Sequence, residues 1–384
     1  MYSNKRFLFV KLWPVFSLNS SNIRMFGLIK GILEMGGAVD LLTIQNVDSQ
    51  IKSDMSKYPF MSNVNIIGLN DDTIHSKLKE SKHGVSKKVV NALKGFYHKL
   101  KIYDYTVSIA KRIKVSMLPL DYYDYIIGVS DPKSSYVAIK RLIKHGLKYK
   151  TVIEYWGDPF FGDITLNTIV PSLFIKSEEK KLLKIANKIV YTNPFTLKEQ
   201  QKLYSHYKDR MICIPTANAF PVSNYRPNND VFTMSYIGAY QQTVRNLLPF
   251  YNSVKDMEDC LTYIVGDSDI RLESNDNIII KPRMPALDIE KESDLFVCIL
   301  NRKGHQIPGK VYHCASTNRA VLVILDGDKV EEMKDYLVQF NRFYLCYNNE
   351  EDIRKTIKVI KKENRAFEPC SMLEPINIAK KILE

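Results

Sequence analysis

Short β-rich apolar runs alternate with amphipathic segments along this chain, and the alternation is run through twice. From residue 6, "RFLFVKLW" reads as a strand. "NIRMFGLIKGILEMGG" reads as a helix whose Ile23, Phe26, Leu28, Ile29, Ile32 and Leu33 gather near one side before Gly36 and Gly37 stop it. "AVDLLTI", "VNIIGL", "YDYIIGVS" and "KTVIEYW" read as further strands, with a helical pattern over 75–115. "EEKKLLKIANKIVYT" predicts a helix running into a strand, "FTLKEQQKLYSHY" a helix, and "RMICIP" closes this half. "ANAFPVSNYRPNND", with two prolines and four asparagines, then has linker composition. Beyond it the alternation resumes: strands "FTMSYIG", "LTYIVGD", "NIIIKP", "LFVCIL", "AVLVIL" and "FYLCY", with helices at "NLLPFYNSVKDM", "GKVYHCAS", "DKVEEMKDYLVQF", "EEDIRKTIKVIKK" and "PINIAKKILE". Strands that alternate with helices specify a parallel sheet covered on both faces. The expectation is therefore two doubly wound α/β domains facing across a cleft: 1–218, a linker at 219–230, 231–368, and a last helix within 369–384 packing back on the first domain.

Composition narrows the function classes. The chain's 384 residues are 45% apolar and 25% charged, as in soluble globular proteins. No apolar run approaches the ~18 residues of a membrane-spanning helix, and "MYSNKRFLFVKLWPVF" lacks the features of a secretion signal. A cytoplasmic location follows as an expectation. The six cysteines form no C-x-x-C pair, and several lie inside apolar runs such as "LFVCIL", so buried free thiols are expected and a metal site is not. "FLFVKLWPVFSLNSS" carries no G-x-G-x-x-G after the first strand, which argues against nicotinamide and flavin chemistry.

Net charge is +13 and unevenly spread. The first 230 residues carry 34 Lys and Arg against 19 Asp and Glu, and the remainder 21 against 23. Lys77 to Lys114 hold eleven basic residues against Glu80 and Asp104. From Ser86 on, Val89, Val90, Leu93, Phe96 and Leu100 follow helical spacing. A basic amphipathic helix can lie on an anionic membrane surface or be a solvated helix packed on its own domain; the membrane is the favoured reading. No nucleic-acid motif or stacking platform accompanies the charge.

The stretch "GHQIPGKVYHCASTNRAV" is unusual. Pro308 suits a helix start and Gly309 permits close backbone approach. Lys310 then places a cation where the helix dipole disfavours it by roughly 0.3–1 kcal/mol, a sign that a bound anion would reverse. Lys310 is read either as a phosphate contact or as a solvated lysine. His313 lies three positions on, a neighbour on the same side, while Val311, Cys314 and Ala315 would pack on the sheet.

In order and spacing, "SYIGAYQQTVRN", "LTYIVGD", "NIIIKPRM", "SDLFVCIL" and "PGKVYHCASTNRAVLVI" resemble the C-terminal domain of GT-B glycosyltransferases, most closely the group-4 type of bacterial surface-polysaccharide synthesis. "NIRMFGLIKGILEMGGAVDLLTI", "VIEYWGDP" and "LLKIANKIVYTN" fit the same family's N-terminal domain. The resemblance implies a metal-independent, hexosyl-type transferase without a cofactor. The C-terminal domain would bind a nucleotide sugar and the N-terminal domain a glycan or lipid-linked acceptor, on the inner membrane face. Carried over by position, Gly238 and Arg245 would meet the diphosphate. Arg283 and Met284 would cradle the base, Gly309 and Lys310 a phosphate, and His313 the ribose or a phosphate. Many retaining members carry E-x7-E; here the two positions are His305 and His313, so His305 is a possible sugar contact and the stereochemistry stays open. In "VIEYWGDPFFGD", Asp158 would project from a strand end to assist the acceptor hydroxyl, or simply start a turn. Glu154 and Asp163 are second choices, and Trp156, Phe160 and Phe161 can stack on a sugar or fill core. Two rival functions are a catalytically silent relative in a glycan assembly complex and a sugar-nucleotide epimerase.

Overall fold

The computed structural model describes residues 2–17, 19–45, 58–71, 73, 99–163, 166, 168–219, 230–303 and 306–384. The chain divides into two compact units, one of 1–215 with 375–384 and one of 216–374. The boundary at 215/216 lies just before the expected linker, most of which is outside the described residues, and the chain returns to the first unit at 374/375.

The first unit holds β1 (Arg6–Pro14), α1 (Ser20–Glu34), β2 (Ala38–Ile44), β3 (Val64–Leu69), α2 (Val107–Ala110), β4 (Tyr122–Val129), α3 (Ser134–Lys144), β5 (Lys148–Trp156), α4 (Ser172–Leu183), β6 (Lys188–Tyr191), α5 (Pro194–Leu203) and β7 (Met211–Cys213). Its strands form one sheet in the order β3-β2-β1-β4-β5-β6-β7, and every pairing is parallel. β1 is central. Phe7 to Leu12 have no exposed surface at all, because helices cover both faces.

The second unit holds β8 (Phe232–Ile237), α6 (Leu248–Val254), β9 (Cys260–Val265), β10 (Ile278–Lys281), α7 (Leu287–Glu292), β11 (Leu295–Ile299), α8 (Gly309–Ala315), β12 (Ala320–Leu325), α9 (Val330–Val338), β13 (Tyr344–Tyr347) and α10 (Glu350–Glu363). The sheet order β10-β9-β8-β11-β12-β13 repeats that of the first, again all parallel. Both sheets reverse direction of growth beside their first strand, between β1 and β4 and between β8 and β11. Doubly wound sheets bind ligands beyond the strand ends at such switch points.

The chain's last helix, α11 (Pro375–Leu383), belongs to the first unit and packs on α1. Ile378, Ala379 and Ile382 are fully buried, and Lys188 Nζ donates to the Ile382 carbonyl at 3.0 Å. Gly31 makes this approach possible, since a Cβ there would lie 2.0 Å from the Pro375 carbonyl oxygen. α3 and α7 are helices beyond those the sequence pattern predicts. Of the helical reading over 75–115, residues 75–98 lie outside the described residues, and α2 is the helix named in the rest.

Candidate functional site

In the first unit the β1–β4 switch point is built around buried cations. Lys11, inside β1, donates to Ser21 Oγ at the start of α1 and to the Asp131 carbonyl after β4. Burial drives its ammonium well below the ordinary lysine range, and Arg24 adds to the effect. Arg24 donates to the Ser130 carbonyl and lies 5.3 Å over the Tyr155 ring. Gly157 must lack a side chain here, because a Cβ would come 2.3 Å from Arg24 Nη1. Asn19 caps α1 by accepting from the Asn22 amide at 2.8 Å.

Above this frame lies a cavity of about 400 Å³. Trp13, Tyr103 and Phe160 supply apolar and aromatic walls, and Asp104, Asp131 and Asp163 supply carboxylates. Lys133 pairs with Asp131 and, at 3.3 Å, with Asp163, so one cation ties the loop after β4 to the loop after β5. Burial opposes the Lys133 charge, but the two carboxylates outweigh it and raise its pKa. Burial would raise Asp131, yet Lys133 holds it below the ordinary carboxylate range. Asp158 follows β5 and feels the same group of charges. Burial raises its pKa and Asp131 reinforces the shift, though its side chain is not part of the cavity wall. Glu154 is fully buried, accepting from Trp156 Nε1 at 3.0 Å. Trp156 is fully buried in the core, whereas Phe160 reaches the cavity.

In the second unit, Arg245 spans the β8–β11 switch point. Its Nε donates to Asn301 Oδ1 after β11 at 2.8 Å, and its Nη1 to the Ala239 carbonyl after β8 at 3.3 Å. Gly238 donates to the Val265 carbonyl at 2.9 Å, and a Cβ on Gly266 would meet the Gly238 oxygen at 2.0 Å, so the ends of β8 and β9 pass backbone to backbone. Arg283 and Met284 follow β10 and are exposed; Arg283 reaches Asp267 at 3.8 Å. Gly309 opens α8 with nothing within 4 Å of a would-be Cβ.

Lys310 is partly buried and does not stand alone. It forms an ion pair with Glu290 of α7, which also faces His313 Nε2 at 3.9 Å. Neither reading of Lys310, phosphate contact or solvated lysine, anticipates this carboxylate beside it. Burial would raise Glu290, but His313 and Lys310 pull it down to about 2. Burial lowers His313, whose Nδ1 lies 3.4 Å from Asn218 Oδ1. Val311, Cys314 and Ala315 are buried as their spacing requires. His305 lies outside the described residues. Sequence reasoning missed Glu290, Asp131 and Lys133. The signal for the last two was available in "SDPK", directly after a strand at the switch point. Among the described residues no group of three His, Cys, Asp or Glu side chains could hold a metal ion.

No family model matches the chain, and no curated protein matches it significantly. Solved structures do. The Anabaena protein HepE, in complex with UDP-glucose, is 8% identical with a TM-score of 0.60, the match covering 98% of each chain. A glycosyltransferase from Rickettsia africae is 13% identical with a TM-score of 0.52, covering 99% of this chain and 94% of that one. A putative UDP-N-acetylglucosamine 2-epimerase from Listeria monocytogenes is 11% identical with a TM-score of 0.52, covering 99% and 95%. At such identities the likeness speaks to architecture alone. Two parallel, doubly wound sheets of repeated order, matched over nearly the full length, give this chain the GT-B fold.

Proposed function

We propose that this protein is a metal-independent glycosyltransferase that moves a hexosyl-type group from a nucleoside diphosphate donor to a glycan or lipid-linked acceptor. Its context would be bacterial surface-polysaccharide synthesis, at the inner face of the cytoplasmic membrane. The observation that carries this reading is Arg245, a guanidinium held across the switch point of the second sheet by Asn301 and the Ala239 carbonyl. A cation fixed at that place suits the charge that develops on a leaving diphosphate. Lys310 supplies a second positive group, and Glu290 keeps it charged and oriented until phosphate arrives. Gly238 and Gly309 let the diphosphate approach the backbone, Arg283 and Met284 border the base, and His313 offers a neutral imidazole to a ribose hydroxyl.

The acceptor belongs in the cavity of the first unit, where aromatic walls suit sugar faces and Asp104, Asp131 and Asp163 accept from hydroxyls. Asp158 does not line that cavity but shares the charge field of Asp131, Lys133 and Asp163, which do, and is assigned as the base for an acceptor hydroxyl that extends past them. Its raised pKa brings it nearer to the working pH than an ordinary carboxylate, which favours proton abstraction. The fold shared with a 2-epimerase supports a second reading, conversion of the donor sugar without an acceptor.

Titration calorimetry with a panel of nucleoside diphosphates and their sugars tests the donor assignment. Saturable binding of one nucleotide is expected, with affinity falling at least tenfold in Arg245→Ala and in Lys310→Ala. Unchanged affinity in both variants removes the phosphate assignment. Donor turnover that needs an acceptor and is lost in Asp158→Asn supports transfer. Turnover without acceptor supports epimerisation, and donor binding with no turnover supports the silent relative.

A further inference from the structure

We infer that Glu178 and Glu179, consecutive in α4, are positioning residues for the first unit's cavity, where they fix the aromatic wall on which a carbohydrate ring stacks. The role rests on the transferase reading, which puts the acceptor in that cavity. Glu179 is out of place by sequence pattern. Ile175, Glu179 and Leu182 follow helical spacing and are buried together, so a carboxylate occupies the apolar stripe of α4. Burying a charge is costly unless donors meet it, and here three do. Glu179 Oε1 accepts from the Phe160 amide at 2.6 Å. Its Oε2 accepts from the Phe161 amide at 3.2 Å and from the Tyr204 hydroxyl at 2.6 Å. Burial raises the Glu179 pKa, and these donors oppose the rise.

The two acids meet at one wall. Phe160 and Phe161 belong to the loop after β5, whose Phe160 and Asp163 line the cavity. The adjacent acid, Glu178, accepts from the Tyr103 hydroxyl at 3.3 Å. Tyr103 also lines the cavity, and its ring centroid is 5.1 Å from that of Phe160, so the two rings make one continuous surface. A single turn of α4 thus holds both halves of that surface: Glu179 through the Phe160 backbone, Glu178 through the tip of Tyr103. The two carboxylates answer differently to an amide. Glu178→Gln keeps an oxygen for the Tyr103 hydroxyl. Glu179→Gln leaves one oxygen for three donors, and its NH2 group faces an N–H or O–H. A wall freed at that tether loses its preorganised face, and affinity falls with it.

The test titrates the full chain with p-nitrophenyl hexosides of gluco, galacto and manno configuration and follows tryptophan emission. Trp13 lines the cavity and Trp156, the other of the chain's two tryptophans, is fully buried in the core, so quenching by the nitrophenyl group reports on the cavity. Saturable quenching by one glycoside is expected. Its Kd should rise at least about fivefold in Glu179→Gln and about threefold in Glu178→Ala, and stay at the wild-type value in Glu178→Gln. If Glu179→Gln does not fold, the two Glu178 variants decide. Wild-type Kd in folded Glu179→Gln and Glu178→Ala, or a loss of amplitude with Kd unchanged, makes the two acids merely structural and overturns the proposal. Equal weakening in Glu178→Ala and Glu178→Gln overturns the role of Glu178, and absence of quenching in the wild type overturns both. Nucleotide calorimetry on the same preparations reads the transferase assignment separately. Nucleotide binding without glycoside binding sinks this proposal alone, and glycoside binding without nucleotide binding sinks the transferase reading and leaves the positioning role standing.

Discussion

Glu154 sits inside β5 with none of its surface exposed, and only the Trp156 indole and neighbouring carboxyl and guanidinium fields bear on it. Burial lifts its pKa from 4.5 to about 8. The native state therefore holds a proton over that window that the unfolded chain releases. Stability from this group is fully present below pH 4.5 and declines as pH rises towards 8, by about 1.4 kcal/mol per unit where the difference is one whole proton. Glu154→Gln removes the proton and should flatten this slope in urea titrations run across the window; an unaltered slope would assign it to other groups. Glu290 is the opposite case. Its pKa, about 2, lies below the ordinary value, so its contribution is present above pH 4.5 and lost as pH falls towards 2. Reading residues one at a time recognised Lys310 as anomalous but could not name its partner, twenty positions away on a helix of six residues.

Elements were more legible than sites, for a physical reason. A parallel strand buried on both faces is a continuous apolar run, and "RFLFV", "LFVCIL" and "AVLVIL" stand out without knowledge of their neighbours. α7 is too short for a 3.6-residue period to register, and with it went Glu290. α3 does carry the period, at Tyr136, Ile139 and Leu142, but over only three turns between two stronger strand signals, and Asp131 and Lys133 adjoin it. The α1–α11 contact was visible only as an expectation about where a last helix goes, whereas its tolerance hangs on Gly31. Gly31→Ala places a methyl carbon 2.0 Å from the Pro375 oxygen and 2.9 Å from Ala379 Cβ. Backbone cannot give as a flexible side chain can, so α11 should shift or detach. The expected cost is about 1–3 kcal/mol of unfolding free energy in denaturant titrations, with faster proteolysis after residue 374. Wild-type stability together with unchanged proteolysis would mean that α11 contributes little to the first unit.

Across the whole molecule, charge is divided much as the proposed tasks are. The first 230 residues carry a large positive excess, and the rest, which includes nearly all of the second unit, is close to neutral. Two binding events on one chain should then answer differently to salt. Docking at the membrane face, measured on vesicles of anionic lipid, sums many exposed lysines acting over distance, and such interactions fade once the Debye length shrinks from about 10 Å at 0.1 M to about 3 Å at 1 M. Nucleotide binding relies on a few close contacts, with Arg245 held by Asn301 and Lys310 by Glu290, and short partly buried pairs are screened far less. Raising sodium chloride from about 0.05 to about 0.5 M should therefore lower the vesicle partition coefficient by more than tenfold, and nucleotide affinity by a smaller factor. Parallel titrations on one preparation decide it. If the two fall together, the basic half is not a separate docking device, and its charge serves the nucleotide site instead.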